Sequence, residues 1–152
     1  MTTTLTEAVL PAIGTSGPVF RGVIERTRLA DYARALRLHN PVHYDLTAAR
    51  AVGFRDIVAP PGFVISHSLQ PRSTKLGTFG IEESRALAGE LAFDPRGVIC
   101  AGDELTGCTV LMDLQEKSGK RPMHAYTLET RFTNQLGELV LVFNEVLLQW
   151  RA

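Results

Sequence analysis

The sequence predicts an α+β fold, a helix-rich first half followed by an antiparallel sheet that wraps a buried helix. Three observations carry this. In the first half, apolar residues recur at spacings of three and four. From residue 85 onward the period changes to two, the signature of strands with one covered face. Between these halves lies IVAPPGFVISHSLQP, apolar on nearly every side, which suits an element covered all round. At 152 residues and 16.7 kDa the chain has the size of one domain with a sizeable core.

Taken in order, Met1 to Pro18 is rich in Thr, Gly and Pro and reads as a flexible segment over the surface, leaving a single domain over residues 19–152. Val19 to Arg26 alternates and reads as a strand. Thr27 is placed to cap a helix over Arg28 to Leu38, with Leu29, Tyr32, Ala33 and Leu36 on its apolar face. Asn40–Pro41 stops that helix, because proline disfavours helical geometry in the residue before it. Asp45 then caps a short second helix, DLTAARAV, which Gly53 terminates.

Proline is tolerated in a first helical turn, and Pro71 ends the next apolar run. The central helix is therefore expected over about Pro61 to Gln70, more than 80% buried on average. LAGELAF, ELTGCTVLMDLQEK, MHAYTLETRFTN and GELVLVFNEVLLQW follow as strands. In the third of these, Tyr126, Leu128 and Phe132 share one face and Glu129, Arg131 and Thr133 the other. Leu139 to Phe143 is apolar on both faces, which places the last strand in the middle of the sheet or against a second subunit.

Composition excludes several classes of partner. Sixteen Lys and Arg balance sixteen Asp and Glu, and no dense basic run exists, so neither nucleic acid nor an anionic membrane is expected. No apolar run approaches the ~18 residues of a membrane span. The first residues lack the basic and apolar regions of a secretory signal. Cys100 and Cys108 have no metal-ligand spacing and no adjacent base, so they read as ordinary thiols in a reducing compartment, and the expected location is cytoplasmic.

Chemistry concentrates in RLHNPVHYD, where His39, Asn40, His43 and Asp45 surround a helix end and a rigid proline. Imidazoles are the side chains best matched to proton transfer near neutral pH, and turns at helix ends present fixed N–H groups to a developing oxyanion. Two histidines four apart are not a zinc motif here, because Pro41 breaks the helix that would align them. The commoner use of a turn histidine is to satisfy backbone carbonyls.

The ordered series of motifs resembles the MaoC-like acyl dehydratase and (R)-specific enoyl-CoA hydratase family, in its FAS1-like dehydratase domain subgroup. The family's NPxHxD stands here as Asn40, Pro41, His43 and Asp45, its short helix ends in Gly53–Phe54, and IVAPP occupies Ile57 to Pro61. GELAFDPRGVICAGDEL resembles a second family block, with Gly102, Asp103 and Leu105 in place. TNQLGELVLVFNEVLL resembles its closing hairpin, and the similarity covers about residues 20–150.

The resemblance implies the hot-dog fold, an antiparallel sheet around a central helix, paired as a homodimer or as a heterodimer with another hot-dog subunit. It implies hydration or dehydration of an acyl thioester, carried on coenzyme A or on the phosphopantetheine of an acyl-carrier protein, with no other cofactor and no metal. Active members use an Asp and a His five residues apart around the transferred water. The histidine carries over to His43, presented by the turn at Asn40, but the aspartate position holds Leu38, which accepts no proton. His39 is the nearest replacement, although one residue along a helix end turns a side chain by roughly 100°. Asp45 is placed to orient the His43 ring, and Asp31 is a poor local substitute.

Where hydratases often have His-Gly, this chain has Pro60–Pro61, so an N–H toward the thioester carbonyl would come from Gly62 instead. Leu38, Pro61, Gly62, Phe63 and Ser66 are the expected substrate-binding residues. Arg72, with Lys75, stands where the phosphates of the carrier arm would pass, or is simply a solvated cation. Ser66 lacks the elbow and triad of a nucleophile. Asp103 reads as a turn residue, and Trp150 as an edge or interface plug. Two alternatives accompany the hydratase reading: a non-catalytic subunit that holds the acyl chain for a partner and, with less support, a hot-dog thioesterase.

Overall fold

The structure is a computed structural model that describes residues 10–66 and 72–151. Five antiparallel strands form one sheet in the order β1-β3-β4-β5-β2. They are β1 (Phe20–Val23), β2 (Ala86–Pro95), β3 (Glu104–Lys117), β4 (Met123–Thr133) and β5 (Leu139–Trp150). The helices precede the meander: α1 (Arg26–Ala35), α2 (Leu46–Ala51), α3 (Pro61–Ser66) and α4 (Arg72–Thr78), with 3₁₀ turns at Pro41–His43 and Glu83–Arg85. The expected α+β hot-dog architecture, a curved sheet around the α3 region, is the one observed.

The strands form where alternation predicts them, and β3 has the predicted ends. Its residues 105, 107, 109 and 111 are buried in turn, matched by 126, 128, 130 and 132 on β4 and 141, 143, 145 and 147 on β5. β5 lies inside the sheet, paired with β4 on one side and β2 on the other, and Val140 and Val142 on its second face are buried as well as Leu141 and Phe143 on its first. β1 pairs with β3 over four residues, with Phe20 directly opposite Gly107. A Cβ at Gly107 would fall inside the Phe20 ring, which packs edge-on against Phe132 at 5.8 Å. Beyond β1 the chain continues along the same edge of β3, with Gly17 N–H donating to Thr109 and Gly14 N–H to Leu111.

Helix boundaries depart from expectation in three places. Thr27 does not cap α1, which starts at Arg26 after Glu25 and has no side-chain cap. Its start is set by tertiary contacts: Ile24 is pinned between two backbone bonds, to Asp103 and from Gly102, and Arg26 reaches Asp56. Nor does α1 reach Leu38. It closes at Ala35 in a Schellman motif, with Leu38 N–H donating to Ala33, Arg37 N–H donating to Arg34, and Arg37 left-handed at φ +53°. Leu36 is consequently 55% exposed.

The third departure concerns the central helix. Phe63 and Val64 are 2% exposed, but Pro61 is exposed and Gly62 and Ile65 are half-buried, so the described part of this helix is covered on one face. Residues 67–71, including His67, Gln70 and Pro71, lie outside the described residues. A further helix, α4, follows them and buries Leu76. Asp45 and Gly53 behave as predicted: the Asp45 carboxylate accepts from the N–H groups of Thr47 and Ala48, and Gly53 adopts φ +97°.

The core consists of two apolar clusters. One gathers Leu29, Ile57, Phe63, Leu105, Phe132, Leu141 and Phe143 around α1 and α3. The other gathers Leu76, Phe79, Leu111, Tyr126, Leu128 and Leu147 around α4.

Candidate active site

The turn after α1 is built by local hydrogen bonds. Asn40 is extended, as a residue before proline should be, and its side-chain oxygen accepts from Val42 N–H at 3.2 Å. This turns the chain so that His43 ends the 3₁₀ turn and Asp45 can begin α2. The turn is then tied to the segment that leads into α3. Val58 N–H donates to the Val42 carbonyl at 2.9 Å, and the Val58 carbonyl accepts from His43 Nδ1 at 2.7 Å. A carbonyl can only accept, so Nδ1 carries a proton and Nε2 is left with the basic lone pair of the neutral ring. The ring is half-buried.

Next to Val58 a half-open apolar cleft of about 130 Å³ is lined by Val58, Ala59, Pro61, Val98, Ile99 and Leu141, among others. Pro61 is the first residue of α3, and Gly62 supplies the helix's first N–H. Gly62 is also where Tyr32 of α1 comes close: a Cβ there would meet the tyrosine hydroxyl at 2.8 Å. The Tyr32 ring packs edge-on against Phe63 at 5.5 Å, so α1 and α3 are fixed to each other beside the cleft.

His43, Pro61, Gly62 and Phe63 are thus brought to one region through Val58 and Tyr32. Leu38, half-buried, follows the left-handed Arg37, while His39 is exposed and its carbonyl accepts from the Tyr44 hydroxyl at 3.5 Å. Ser66 is the last residue of α3. Arg72 is exposed and ion-paired with Glu83, and Lys75 pairs with Glu145, so each cation already has a protein carboxylate as partner. Asp45 does not orient the His43 ring, because its carboxylate is occupied as the cap of α2 and the Val58 carbonyl holds the ring instead. Asp31 pairs with Arg34 on the exposed side of α1.

Two buried carboxylates shape the surroundings. Asp103 closes the expected turn after Gly102, its N–H donating to the Cys100 carbonyl at 3.1 Å, and is only 1% exposed. It accepts from Cys100 N–H at 2.8 Å and from the Gln135 side chain at 3.0 Å, and pairs with Arg55. Asp56 receives Arg26 in a two-pronged contact at 2.9 and 2.5 Å, and the hydrogen-bonded guanidinium holds its carboxyl below the usual carboxylate range. Burial pushes the Cys100 thiol above its ordinary value, which keeps it protonated and unreactive. Among the described residues no cluster of His, Cys, Asp and Glu could hold a metal ion.

The profile of the family described as "FAS1-like, dehydratase domain region" matches residues 12–143. The chain belongs to this family. Among curated FAS1-like relatives, the UPF0336 protein of Leifsonia xyli subsp. xyli is 31% identical over 122 residues, 78% of this chain and 79% of the relative. That of Clavibacter michiganensis is 38% identical over 86 residues, 55% of this chain and 58% of the relative. The chain spans about three fifths of the length of the first curated relatives it matches.

The fold is shared with solved dehydratases. A MaoC-like dehydratase superposes with a TM-score of 0.79 at 24% identity, over 92% of this chain and 42% of that one. The HadBC (3R-hydroxyacyl-ACP dehydratase) complex from Mycobacterium tuberculosis gives 0.75 at 22% identity, over 92% and 99%. Among the described residues of this FAS1-like domain, no helix is long and apolar enough to cross a membrane.

Sequence reading missed the residues that hold the site together. Arg37, Val58 and Asp56 act through backbone conformation or distant pairing, and none has a local pattern that marks it, while Tyr32 was legible on the apolar face of α1 but not as the neighbour of Gly62. The Gly62–Phe63 pair beside Pro61 was the available hint for Tyr32, since a glycine in a helix often marks close approach.

Proposed function

We propose that this chain works on an acyl thioester in the interconversion of a 3-hydroxyacyl group and its trans-2-enoyl form, as one half of a paired hot-dog assembly. The observation that carries this reading is the His43–Val58 hydrogen bond. It spends Nδ1 on a backbone carbonyl and leaves Nε2 without a hydrogen-bond partner among the described residues, on a ring held by Val58, which lines the apolar cleft at the start of α3. In the hydration direction Nε2 accepts a proton from water as the water oxygen bonds to C3, and a proton is delivered to C2. In the reverse direction the C2 proton and the C3 hydroxyl leave as water. Coenzyme A and an acyl-carrier protein remain equivalent as carriers in this reading.

One base does not complete the reaction economically. Leu38 stands at the position where the resembling hydratases keep a carboxylate, and the exposed His39 is a weak local replacement. The second proton-handling group is therefore assigned to a partner subunit, identical or related. Pairing is supported by the sheet itself: along the described chain, residues 14–23 cover one edge at β3, while the ten-residue β2 has its other edge open. The solved HadBC dehydratase, similar in fold, is itself a complex of two kinds of subunit by its name. Leu38 favours a second reading, in which this chain holds the acyl group and the partner performs both proton transfers.

Hydration of a short enoyl-CoA, followed at the thioester-enone absorbance, separates these readings. If His43 is the base, His43→Ala lowers the rate by roughly 10²–10⁴-fold, and Leu38→Asp raises a weak wild-type rate. Unchanged activity in His43→Ala overturns the assignment. Wild type silent alone, but active once mixed with a subunit bearing the Asp/His pair, and still active in that mixture as His43→Ala, establishes the acyl-holding role.

A further inference from the structure

The Val58 carbonyl is the only hydrogen-bond partner of the His43 ring among the described residues, so the ring goes where that carbonyl is put. Val58 is the middle one of three backbone segments. Toward the 42–43 turn it donates its N–H to Val42 at 2.9 Å and offers its carbonyl to His43 Nδ1 at 2.7 Å. On its other side it stands opposite Cys100 in an antiparallel bridge. Ala59 N–H donates there to the Ile99 carbonyl at 2.8 Å, and Ala101 N–H to the Ile57 carbonyl at 2.9 Å. Neighbouring residues of such a pair point their backbone groups to opposite sides. Fixing residues 99–101 therefore fixes the direction of the Val58 carbonyl.

Residues 99–101 are in turn fixed by Asp103. Its Oδ2 accepts from Cys100 N–H at 2.8 Å, while Oδ1 accepts from the Gln135 side chain at 3.0 Å and receives the Arg55 guanidinium. The backbone holds the same corner, with Gly102 N–H donating to Ile24 and Ile24 N–H to Asp103, each at 2.8 Å. Gln135 reaches across from the β4–β5 hairpin, and its own oxygen accepts from Glu104 N–H at 3.2 Å. Arg55 lies two residues before Ile57, so its ion pair and the bridge draw one segment against one turn.

An asparagine here would still accept from Cys100 N–H, but it has one acceptor oxygen where the aspartate has two. Burying a carboxylate at 1% exposure is costly unless it is paired and hydrogen-bonded. What the charge adds is the bond to Arg55, on the segment that carries Val58. We infer that Asp103 is a positioning residue for His43: through the 99–101 turn and the Val58 carbonyl it holds the imidazole with Nδ1 protonated and Nε2 basic. Which ring nitrogen carries the proton is set by the hydrogen bond the ring makes, and that bond is the last link of this chain of contacts. The inference rests on the acyl-thioester reading for its effect on rate, whereas the state of the ring is independent of it.

The test is a long-range proton–nitrogen NMR spectrum of the histidine rings in the full chain at about pH 8, above the ordinary histidine value. Hydration of a short enoyl-CoA is measured in parallel. His43→Ala assigns the His43 signal among the four histidines. Wild type should show this ring as the Nδ1–H form alone. Asp103→Asn, of nearly the same size, should show both tautomers, and kcat for hydration should fall roughly 10–10²-fold at a nearly unchanged KM. Ile81→Val, which loosens the core around Leu76 instead, should leave the ring as in wild type. Should Asp103→Asn fail to melt cooperatively, Arg55→Met makes the same comparison, because its side chain is 54% exposed and its loss removes little packing.

A single Nδ1–H form in the folded Asp103 variant, or in Arg55→Met where that replaces it, overturns the positioning role. So does a wild-type ring in any other form, or a mixed ring in Ile81→Val, since any loss of stability would then suffice. Hydration by wild type with a ring unmoved by the Asp103 change defeats the positioning role and leaves the hydratase reading standing. A ring that shifts as expected in a protein that hydrates nothing, alone or mixed with a subunit bearing the Asp/His pair, does the reverse.

Discussion

Arg37 is the residue whose backbone does most to present the candidate site. Its φ of +53° is left-handed, a region that costs an L-residue roughly 1 kcal/mol and that glycine enters freely. In the Schellman motif that ends α1 it stands where glycine is the usual choice, and Leu38 follows it where an apolar residue is favoured. The leucine at the expected carboxylate position thus has a structural reason, and the strain lies one residue from it. Arg37→Gly should stabilise the protein by about 0.5–1 kcal/mol, a rise in melting temperature of roughly 1–4 °C. An unchanged or lower melting temperature would contradict the left-handed assignment. The sequence gives no warning of this turn, because an arginine after a helical pattern reads as more helix. His43 and Asn40 were legible because a proline between polar residues restricts what the chain can do.

At the scale of elements, the site depends on α1 being clamped to the 55–59 segment, and the clamp is Arg26 on Asp56. Because the hydrogen-bonded guanidinium lowers the folded-state pKa of Asp56, the carboxylate contributes stability in full above the unfolded value near pH 4. That contribution is lost as pH falls through the lower, folded value. Asp56→Asn should therefore be less stable than wild type at neutral pH, with the difference shrinking as pH falls below about 4. Denaturant titrations at a series of pH values would check this, and a constant difference would refute it. The strands were readable because their period of two reports one covered face directly, as in β3. Helix starts were not. Thr27 has good capping chemistry, but the pinned backbone at Ile24 and the long-range pull of Asp56 decided where α1 begins.

For the whole molecule, the two sheet edges differ in kind. On one edge, β1 and the chain before it cover β3 from Glu104 to Leu111. On the other, β2 has neighbours on one side only, and it carries Leu87, Leu91 and Phe93, all more than a third exposed, with a proline only at its last position. Natural sheets guard such an edge with charges, bulges or prolines, and β2 carries a bulge between Ala88 and Glu90 and the carboxylates Glu90 and Asp94, but no lysine and no internal proline. β4 and β2 already occupy both edges of β5, so the proposed pairing through a sheet edge falls to β2. Pairing about a two-fold axis would continue the sheet from one copy to the next, or to a related hot-dog subunit, and would cover the exposed Leu91 and Phe93. Light scattering at micromolar concentration should give a mass of about twice 16.7 kDa for the protein alone, or one further subunit in a heteromer. Leu87→Lys with Ala92→Lys adds two charges to the face of β2 opposite Leu91 and Phe93, and should return the protein to 16.7 kDa with its cooperative melting retained. A wild-type monomer that stays monomeric with every hot-dog partner tried would remove the paired assembly, and with it the source of the second proton-handling group that Leu38 leaves missing.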